Sequence, residues 1–178
     1  MRRFSCTAVG KLFPAVALCG FLLGQPGPAA AGPAEELALY LKIFSQTKSI
    51  GIIYSDPKNE AAVAALKSGA EALKLKLLAV KVASINEFPQ ALREMQTQAD
   101  TVWVLDDPLY SNLDAWKYFI MFSLRHQLKT VVPSRRALEL GGLCCFPEPG
   151  KALLNKKVLK LLGLEPSPGE AEVSYYGE

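Results

Sequence analysis

Several short polar segments that follow apolar runs carry the side chains able to bind a small molecule. Hydroxyl, amide and carboxylate groups stand where the apolar runs at residues 49–54, 101–105 and 129–132 end. Such groups can exchange hydrogen bonds with an amine, hydroxyl or carboxylate of a ligand. The candidate ligand-binding residues are Tyr54, Ser55, Asn59, Asp106, Asp107 and Ser134.

Each candidate also has a purely structural alternative. Asp106 and Asp107 could bind an amine, a hydroxyl or a cation, or they could cap the turn that follows them. The backbone N–H groups between Tyr54 and Asn59 lie at the start of a predicted helix, where free N–H groups attract anions such as a carboxylate. Asp56 could instead cap that helix itself, and its charge would repel an anion.

Ser134 and the two arginines after it leave the same choice open. A serine that precedes a helix commonly caps it, which would account for Ser134 without any ligand. Arg135 and Arg136 could pair with a ligand carboxylate, or they could simply begin a solvated helix.

The sequence offers little for catalysis, and we expect a protein that is not an enzyme. There is no phosphate-binding glycine loop and no Gly-x-Ser-x-Gly turn after residue 31, and His126 is the single histidine. Cys144 and Cys145 are adjacent in an apolar run, so they favour buried thiols over a disulfide framework. We expect no cofactor and no metal.

The first 31 residues have the pattern of a secretory signal peptide. Arg2, Arg3 and Lys11 precede an apolar run of about a dozen residues, and a small-residue stretch ends at Ala31. We expect cleavage after Ala31; a lipid anchor at Cys19 is the alternative. The remaining chain has 17 basic and 17 acidic residues and no basic stripe, so nucleic acid is not an expected partner.

After residue 31 the chain alternates between strand and helix patterns. Short apolar, β-branched runs predict strands, and apolar residues three and four apart predict helices between them. The predicted strands are residues 49–54, 77–82, 101–105, 129–132 and 143–146, with a further edge strand at 173–176. The predicted helices are residues 35–45, one starting after Asp56, one starting with a capping box at Ser84–Glu87, 111–127, 134–140 and 152–162. In the helix at 111–127 the spacing predicts that Leu113, Trp116, Ile120 and Leu124 face inward.

This alternation predicts an α/β fold, a doubly wound parallel sheet of about five strands flanked by helices, because parallel strands are joined through crossover helices. In such sheets ligands bind beyond the carboxyl ends of the strands. The candidate residues named above all follow strands, so we expect them to share one rim.

Three stretches resemble one family. Residues 47–54, residues 99–107 and Gly141-Gly142-Leu143 look like the carboxy-terminal lobe of the ABC transporter substrate-binding family, which is related to type I periplasmic binding proteins. Residues 151–168 fit the helix and linker that end that lobe. The resemblance implies one periplasmic-binding-protein-like lobe at residues 32–178, an extracytoplasmic location, a small-molecule solute and an ABC permease as partner.

Family members hold their solute between two lobes, whereas this sequence matches one. A second copy of the chain, or another lobe, could supply the opposite wall of the cleft. Two hypotheses follow: a solute-binding component or remnant of an ABC uptake system, or an exported, non-catalytic interaction protein that has lost solute binding. The polar residues at the expected rim favour the first, because a partner surface would expose more apolar side chains.

Overall fold

The computed structural model describes residues 32–167, 169 and 171–177. The predicted signal peptide at residues 1–31 and its cleavage position lie outside the described residues and stay predictions. In the described part of the chain, no helix is long and apolar enough to cross a membrane.

The sheet has seven strands in the order β2-β1-β3-β4-β5-β6-β7. All neighbouring pairs are parallel except β5 and β6, which are antiparallel. The strands are Ser49–Tyr54 (β1), Lys76–Lys81 (β2), Thr101–Trp103 (β3), Lys129–Val131 (β4), Cys144–Glu148 (β5), Lys151–Asn155 (β6) and Glu172–Tyr176 (β7).

Helices cover both faces of this sheet. They are Pro33–Ile43 (α1), Glu60–Ala72 (α2), Phe88–Gln98 (α3), Leu113–Arg125 (α4), Arg135–Glu139 (α5) and Lys156–Leu162 (α6). Helices α1, α2 and α6 enclose one core around Tyr40 and Trp103. Helices α3, α4 and α5 enclose the other around Phe88 and Phe119. The predicted doubly wound α/β class is therefore confirmed.

Strand β1 explains why the sheet forms where the pattern predicted it. Ile50, Ile52 and Ile53 of β1 are fully buried and divide between the two cores, as a strand buried on both faces requires. The next crossover begins as expected: Asp56 accepts a hydrogen bond from the Lys58 N–H and Pro57 occupies the first position of a short 3-10 turn before α2.

The prediction of one helix at residues 152–162 was wrong. Residues Lys151–Asn155 form β6, and the helix starts only at Lys156. Leu153 faces the core enclosed by α3, α4 and α5, whereas Leu154 faces the core enclosed by α1, α2 and α6. This alternation is typical of a strand. The side chain of Asn155 then accepts hydrogen bonds from the backbone N–H groups of Lys157 and Val158, so it marks where the helix begins.

The sheet is also larger than the predicted five strands, because β6 extends it and β7 pairs with β6. Gly150, with φ of +76°, turns the chain between β5 and β6 in a conformation that favours glycine. Two local predictions also differ. Ser84 makes no side-chain cap for the helix that follows, and Leu113, predicted to face inward, is 54% exposed.

Candidate functional site

The loops that follow β1, β3 and β4 meet at one edge of the sheet, as expected for adjacent parallel strands. These loops contain the predicted candidates. Structural contacts divide them into two groups: one that holds the loops together, and one that lines an open groove.

Asp107 joins the loop after β3 to the loop after β1. Its carboxylate accepts hydrogen bonds from the Ser55 N–H at 2.9 Å, the Ser55 hydroxyl at 2.6 Å and the Asp56 N–H at 3.0 Å. The Asn59 side-chain amide donates to it at 2.8 Å, and the Leu109 N–H donates at 3.0 Å. With five donors on two oxygens, Asp107 is only 5% exposed and is satisfied within the protein.

Burial alone would raise the pKa of Asp107. The hydrogen bonds from the Asp56 N–H, the Ser55 hydroxyl and N–H and the Leu109 N–H outweigh that effect, and they hold the pKa at about 2. Asp107 is therefore ionised at neutral pH. It is a fixed negative charge inside the rim, and its role in the described contacts is to position two loops.

The anion expected at the start of the first crossover is thus provided by the chain itself. The N–H groups of Ser55 and Asp56 point to the carboxylate of Asp107, and Asn59 also donates to the backbone oxygen of Asp106 at 3.2 Å. Tyr54, at the end of β1, packs against the core enclosed by α1, α2 and α6. A direct solute contact by Tyr54, Ser55, Asn59 or Asp107 stays a prediction.

A groove of about 520 Å³ lies between the loop after β3 and the start of α5. This volume falls within the range of small-molecule sites, roughly 300–1,000 Å³. Its walls combine polar and apolar side chains from the loops after β3 and β4, α4 and α5: Leu105, Asp106, Asp107, Tyr110, Ser111, Leu113, Trp116, Pro133, Ser134, Arg136, Ala137 and Leu140. We call this the rim groove.

Opposite charges border the rim groove. Asp106 and Arg136 both line it, both are exposed, and neither side chain has a hydrogen bond or ion pair with the residues that the structure describes. Ser134 lines it too, while its hydroxyl oxygen accepts a hydrogen bond from the Ala137 N–H and caps α5. The structural role foreseen for Ser134 is thus present, and its hydroxyl proton is still available to a ligand.

The apolar part of the rim groove was not predicted from the sequence. Leu113 is 54% exposed and Leu140 is 48% exposed. Trp116 is buried, and its indole N–H donates to the backbone oxygen of Leu140 at 3.3 Å, which ties α4 to the end of α5. The helical period of α4 placed Leu113 inside, and only the position of α5 shows that it faces the groove.

The Gly141-Gly142 turn sets the course of the chain behind the groove. Gly141 has φ of +111°, and a Cβ there would lie 2.7 Å from a methyl carbon of Ile120. A Cβ at Gly142 would lie 2.7 Å from the methyl carbons of Val132. These glycines let α5 and β5 approach α4 and β4 closely, so that Leu140 reaches the groove.

A smaller depression of about 210 Å³ lies on the other side of Asp106, between that residue and α1. Glu36 lines it together with Trp103 and Phe146. Burial raises the pKa of Glu36 to about 7, so this carboxyl group changes charge near neutral pH. Nothing in the sequence pattern points to Glu36, because residues 35–45 predict a helix and not its burial against the sheet.

The two cysteines are free thiols on opposite faces of the sheet. Burial raises the pKa of Cys144, and burial raises the pKa of Cys145 to about 11. Both groups are therefore protonated at neutral pH, which is the state of an inert structural cysteine.

Comparison with known proteins decides the family. A model of the ABC transporter substrate binding protein family matches residues 33–132, which is more than half of the chain. The chain belongs to this family. The resemblance stated from the sequence is thereby confirmed. A search of curated proteins returned no match.

Solved structures with the same fold include substrate-binding proteins. An ABC domain in complex with L-Trp from Streptococcus pneumoniae has a TM-score of 0.68 and 20% identity, over 80% of this chain and 61% of that one. A conserved domain protein from Vibrio cholerae gives 0.69 and 17%, over 83% and 61%. A ligand-free, open substrate-binding protein with adhesive properties from Clostridium difficile gives 0.69 and 19%, over 82% and 60%.

At identities of 17–20%, the TM-scores show a shared fold. The chain spans about 60% of the length of each of these structures, which is consistent with a single lobe of a periplasmic-binding-protein-like fold.

Proposed function

We propose that this protein is an exported solute-binding module of an ABC uptake system, and that it holds a small solute in the rim groove. The observation that carries the proposal is the groove itself. It has about 520 Å³ at the carboxyl ends of the strands, with a carboxylate, a guanidinium and an apolar wall around one space. Sites for small molecules combine a mainly apolar lining with a few convergent polar groups in this way.

The two sets of rim residues have different roles in this proposal. Asp106, Ser134 and Arg136 contact the solute, because these residues line the groove and the side chains of Asp106 and Arg136 have no partner among the described residues. The hydrogen bonds among Asp107, Ser55 and Asn59 hold in place the loop that carries Asp106.

The charges define the class of solute. A molecule with both an amine and a carboxylate could place the amine near Asp106 and the carboxylate near Arg136, while Leu113 and Leu140 contact an apolar substituent. Amino acids have this chemistry. The Streptococcus pneumoniae neighbour was crystallised with L-Trp, so L-Trp is the first solute to test.

Export and delivery complete the proposal. The signal-peptide pattern at residues 1–31 supports secretion, and membership of the family supports delivery to an ABC permease. The protein binds and releases its solute without a chemical step.

Native mass spectrometry combined with titration calorimetry tests this function. The full chain is expressed in a bacterium with a secretion pathway, and the intact mass reports whether residues 1–31 are removed. The purified protein is then titrated with L-Trp and with a panel of other amino acids. We expect one bound molecule per chain for at least one of them.

Substitutions locate the site. Asp106→Asn and Arg136→Gln should each lower the affinity for the solute by at least about tenfold, since each removes a charge-assisted hydrogen bond. Lys67→Gln, on the exposed surface of α2, should leave affinity unchanged. Equal affinity in all three variants would contradict binding in the rim groove. No binding by any amino acid of the panel would contradict the proposed function.

A second function has a specific observation in its favour. Four of the large apolar side chains that are exposed lie near the carboxyl end of the sheet: Ile85, Leu113, Tyr118 and Leu140. Exposed apolar groups at one end are typical of an interaction surface. An exported interaction protein would use this surface and would stay empty in the same titrations.

A further inference from the structure

Glu36, in α1, lines two adjoining depressions beside that helix. The depression of about 210 Å³ also has Trp103, Asp106 and Phe146 in its lining. A further depression of about 120 Å³ is lined by Glu35, Glu36 and Phe146, among others. The two depressions therefore adjoin at Glu36 and Phe146. We call them together the α1 pocket.

The charged residues that line the α1 pocket are all acidic. In the part of the chain that the structure describes they are Glu35, Glu36 and Asp106, and no lysine, arginine or histidine lines either depression. Lys151 directly follows a lining residue, but glutamates of β5 and β7 pair with its ammonium. The described part of the chain thus provides no positive charge in this pocket.

The carboxyl group of Glu36 is half-buried, whereas Glu35 and Asp106 are exposed. The Glu36 side chain has no hydrogen bond or ion pair with the described residues, so its ionised form has lost hydration without gaining a partner. This burial raises the pKa of Glu36 to about 7. Glu36 also lies near enough to the thiols of Cys144 and Cys145 on β5 to affect their pKa, and both thiols are neutral at that pH.

The rest of the α1 pocket suits a small organic cation. Trp103 and Phe146 stack there, with ring centroids 5.9 Å apart and ring planes 19° from parallel. Aromatic rings attract cations through the negative charge on their faces. Among the described residues, no three side chains of the kinds that bind metals come together as a metal site. The volume of the pocket suits an ammonium group with a few carbon atoms.

We propose that the α1 pocket binds a protonated primary amine with a short aliphatic stem, with the ammonium at the carboxylate of Glu36 and the stem beside Trp103 and Phe146. The ammonium donates a charge-assisted hydrogen bond to the carboxylate. These three residues do not line the rim groove. The inference therefore goes beyond the proposed function and does not require an amino acid in that groove.

The two tryptophans of the chain give one reporter for each cavity. Trp103 lines the α1 pocket, and Trp116 lines the rim groove. Nitrogen-15-labelled protein produced from the full chain is titrated with propylammonium chloride, and the two indole N–H signals are followed by NMR. Trp116→Phe assigns the signals. We expect a saturable shift of the Trp103 signal while the Trp116 signal stays in place.

Replacement of the carboxylate tests its role in binding. Glu36→Gln keeps the shape of the side chain and removes its charge, so the affinity for propylammonium should fall by at least about tenfold. Glu71→Gln is the matched control, because it removes the same charge from the exposed surface of α2, and it should leave the affinity unchanged. Circular dichroism on each variant confirms that the fold is retained.

The affinity should also depend on pH. An alkylammonium group stays protonated below about pH 9, so a change in affinity below that pH reports on the protein. Glu36 is increasingly ionised as the pH rises through about 7. Because the ionised form binds the ammonium, the affinity should fall by about eightfold from pH 7.5 to pH 6. In Glu36→Gln it should change little over this interval.

Three results would overturn the inference: no saturable shift of the Trp103 signal, equal affinity for the neutral molecule 1-butanol, or unchanged affinity in Glu36→Gln. An affinity that does not vary with pH would contradict Glu36 as the partner of the ammonium. Titration of the same labelled protein with unlabelled L-Trp tests the proposed function separately. A failure there leaves the Trp116 signal unmoved and has no bearing on the response of Trp103 to propylammonium.

Discussion

The two ends of the central sheet use aspartates in different ways. At the amino ends, Asp100 accepts hydrogen bonds from the N–H groups of Lys48 and Ser49, and its carboxylate lies 3.7 Å from the ammonium of Lys129. At the carboxyl ends, Asp107 is engaged as fully, yet Asp106 beside it is exposed with no described partner. Asp100 and Asp107 are satisfied within the chain, whereas Asp106 is available to something outside it.

This difference indicates where binding is expected. A charge whose partners lie in the same chain contributes to the fold. A charge without such partners on a grooved, partly apolar surface is available for a ligand or a second chain. In the part of the chain that the structure describes, the carboxyl end combines the rim groove with the exposed charges of Asp106 and Arg136.

We expect the largest difference in stability between variants of the two neighbouring aspartates, Asp106 and Asp107. Asp107→Ala removes the acceptor for the part-buried N–H groups of Ser55 and Asp56 and one of the two acceptors of the buried Asn59 amide. We expect a loss of about 3 kcal/mol in the free energy of unfolding. Asp106→Ala should change it by less than about 0.5 kcal/mol. Urea unfolding of both variants measures the contrast, and equal losses would remove the distinction between them.

Acid should weaken the same contact. The pKa of Asp107 is depressed to about 2 in the folded protein from an ordinary value of 3.8. The stability it contributes is therefore present above about pH 4 and is lost as the pH falls toward 2, and it amounts to about 2 kcal/mol. In urea unfolding at a series of pH values, the difference between wild type and Asp107→Asn should shrink over that interval. A constant difference would contradict the depressed pKa.

The amino end should respond more mildly to the same kind of change. Asp100→Ala also removes an acceptor for two backbone N–H groups, but the Asp100 side chain is 36% exposed, so water can replace part of the contact. We expect a loss of about 1 kcal/mol in the free energy of unfolding. Asp114→Ala, in an exposed ion pair with Lys117, serves as the control and should change little. A loss at Asp100 larger than that at Asp107 would reverse the comparison.

Ionisation of Glu36 should have a small effect on stability, opposite in sign to that of Asp107. Its raised pKa means that the folded protein binds this proton more tightly than the unfolded chain does. The ionised group therefore lowers stability progressively as the pH rises from about 4.5 to above 7. Glu36→Gln should raise Tm by roughly 2 °C at pH 8 and by less at pH 5. Glu35→Gln, an exposed position in the same turn of α1, should show no such divergence in a scanning calorimeter.

Much of the fold was predictable because it is encoded in short segments. The apolar run Ile50–Ile53 is buried when it forms a strand with both faces covered. The helix cap at Asp56 depends only on the residues Asp56 to Lys58. The segment at residues 151–155 was mistaken for a helix because its apolar residues run directly into those of α6. The cap at Asn155 is an observation that could have separated the two, since asparagine is common at helix starts.

The edge of the sheet at which the candidate residues lie was predictable, but the contacts that they make were not. Strand ends locate the rim by a general rule, and the six predicted residues either end or follow strands whose ends meet there. Which of two adjacent aspartates faces solvent depends on contacts with Ser55 and Asn59, about fifty residues earlier in the chain. No local pattern contains such a contact.

The sequence by itself determined the fold class and the edge of the sheet to which the candidate residues belong, because periodicity, caps and strand ends are properties of neighbouring residues. The family followed from the resemblance of a few short stretches. Tertiary structure alone decided that Asp107 holds two loops together, that Leu113 and Leu140 face a groove, and that Asp106 and Arg136 share its border. These relations join elements far apart in the chain, and they exist only once packing against the sheet has fixed where each element lies.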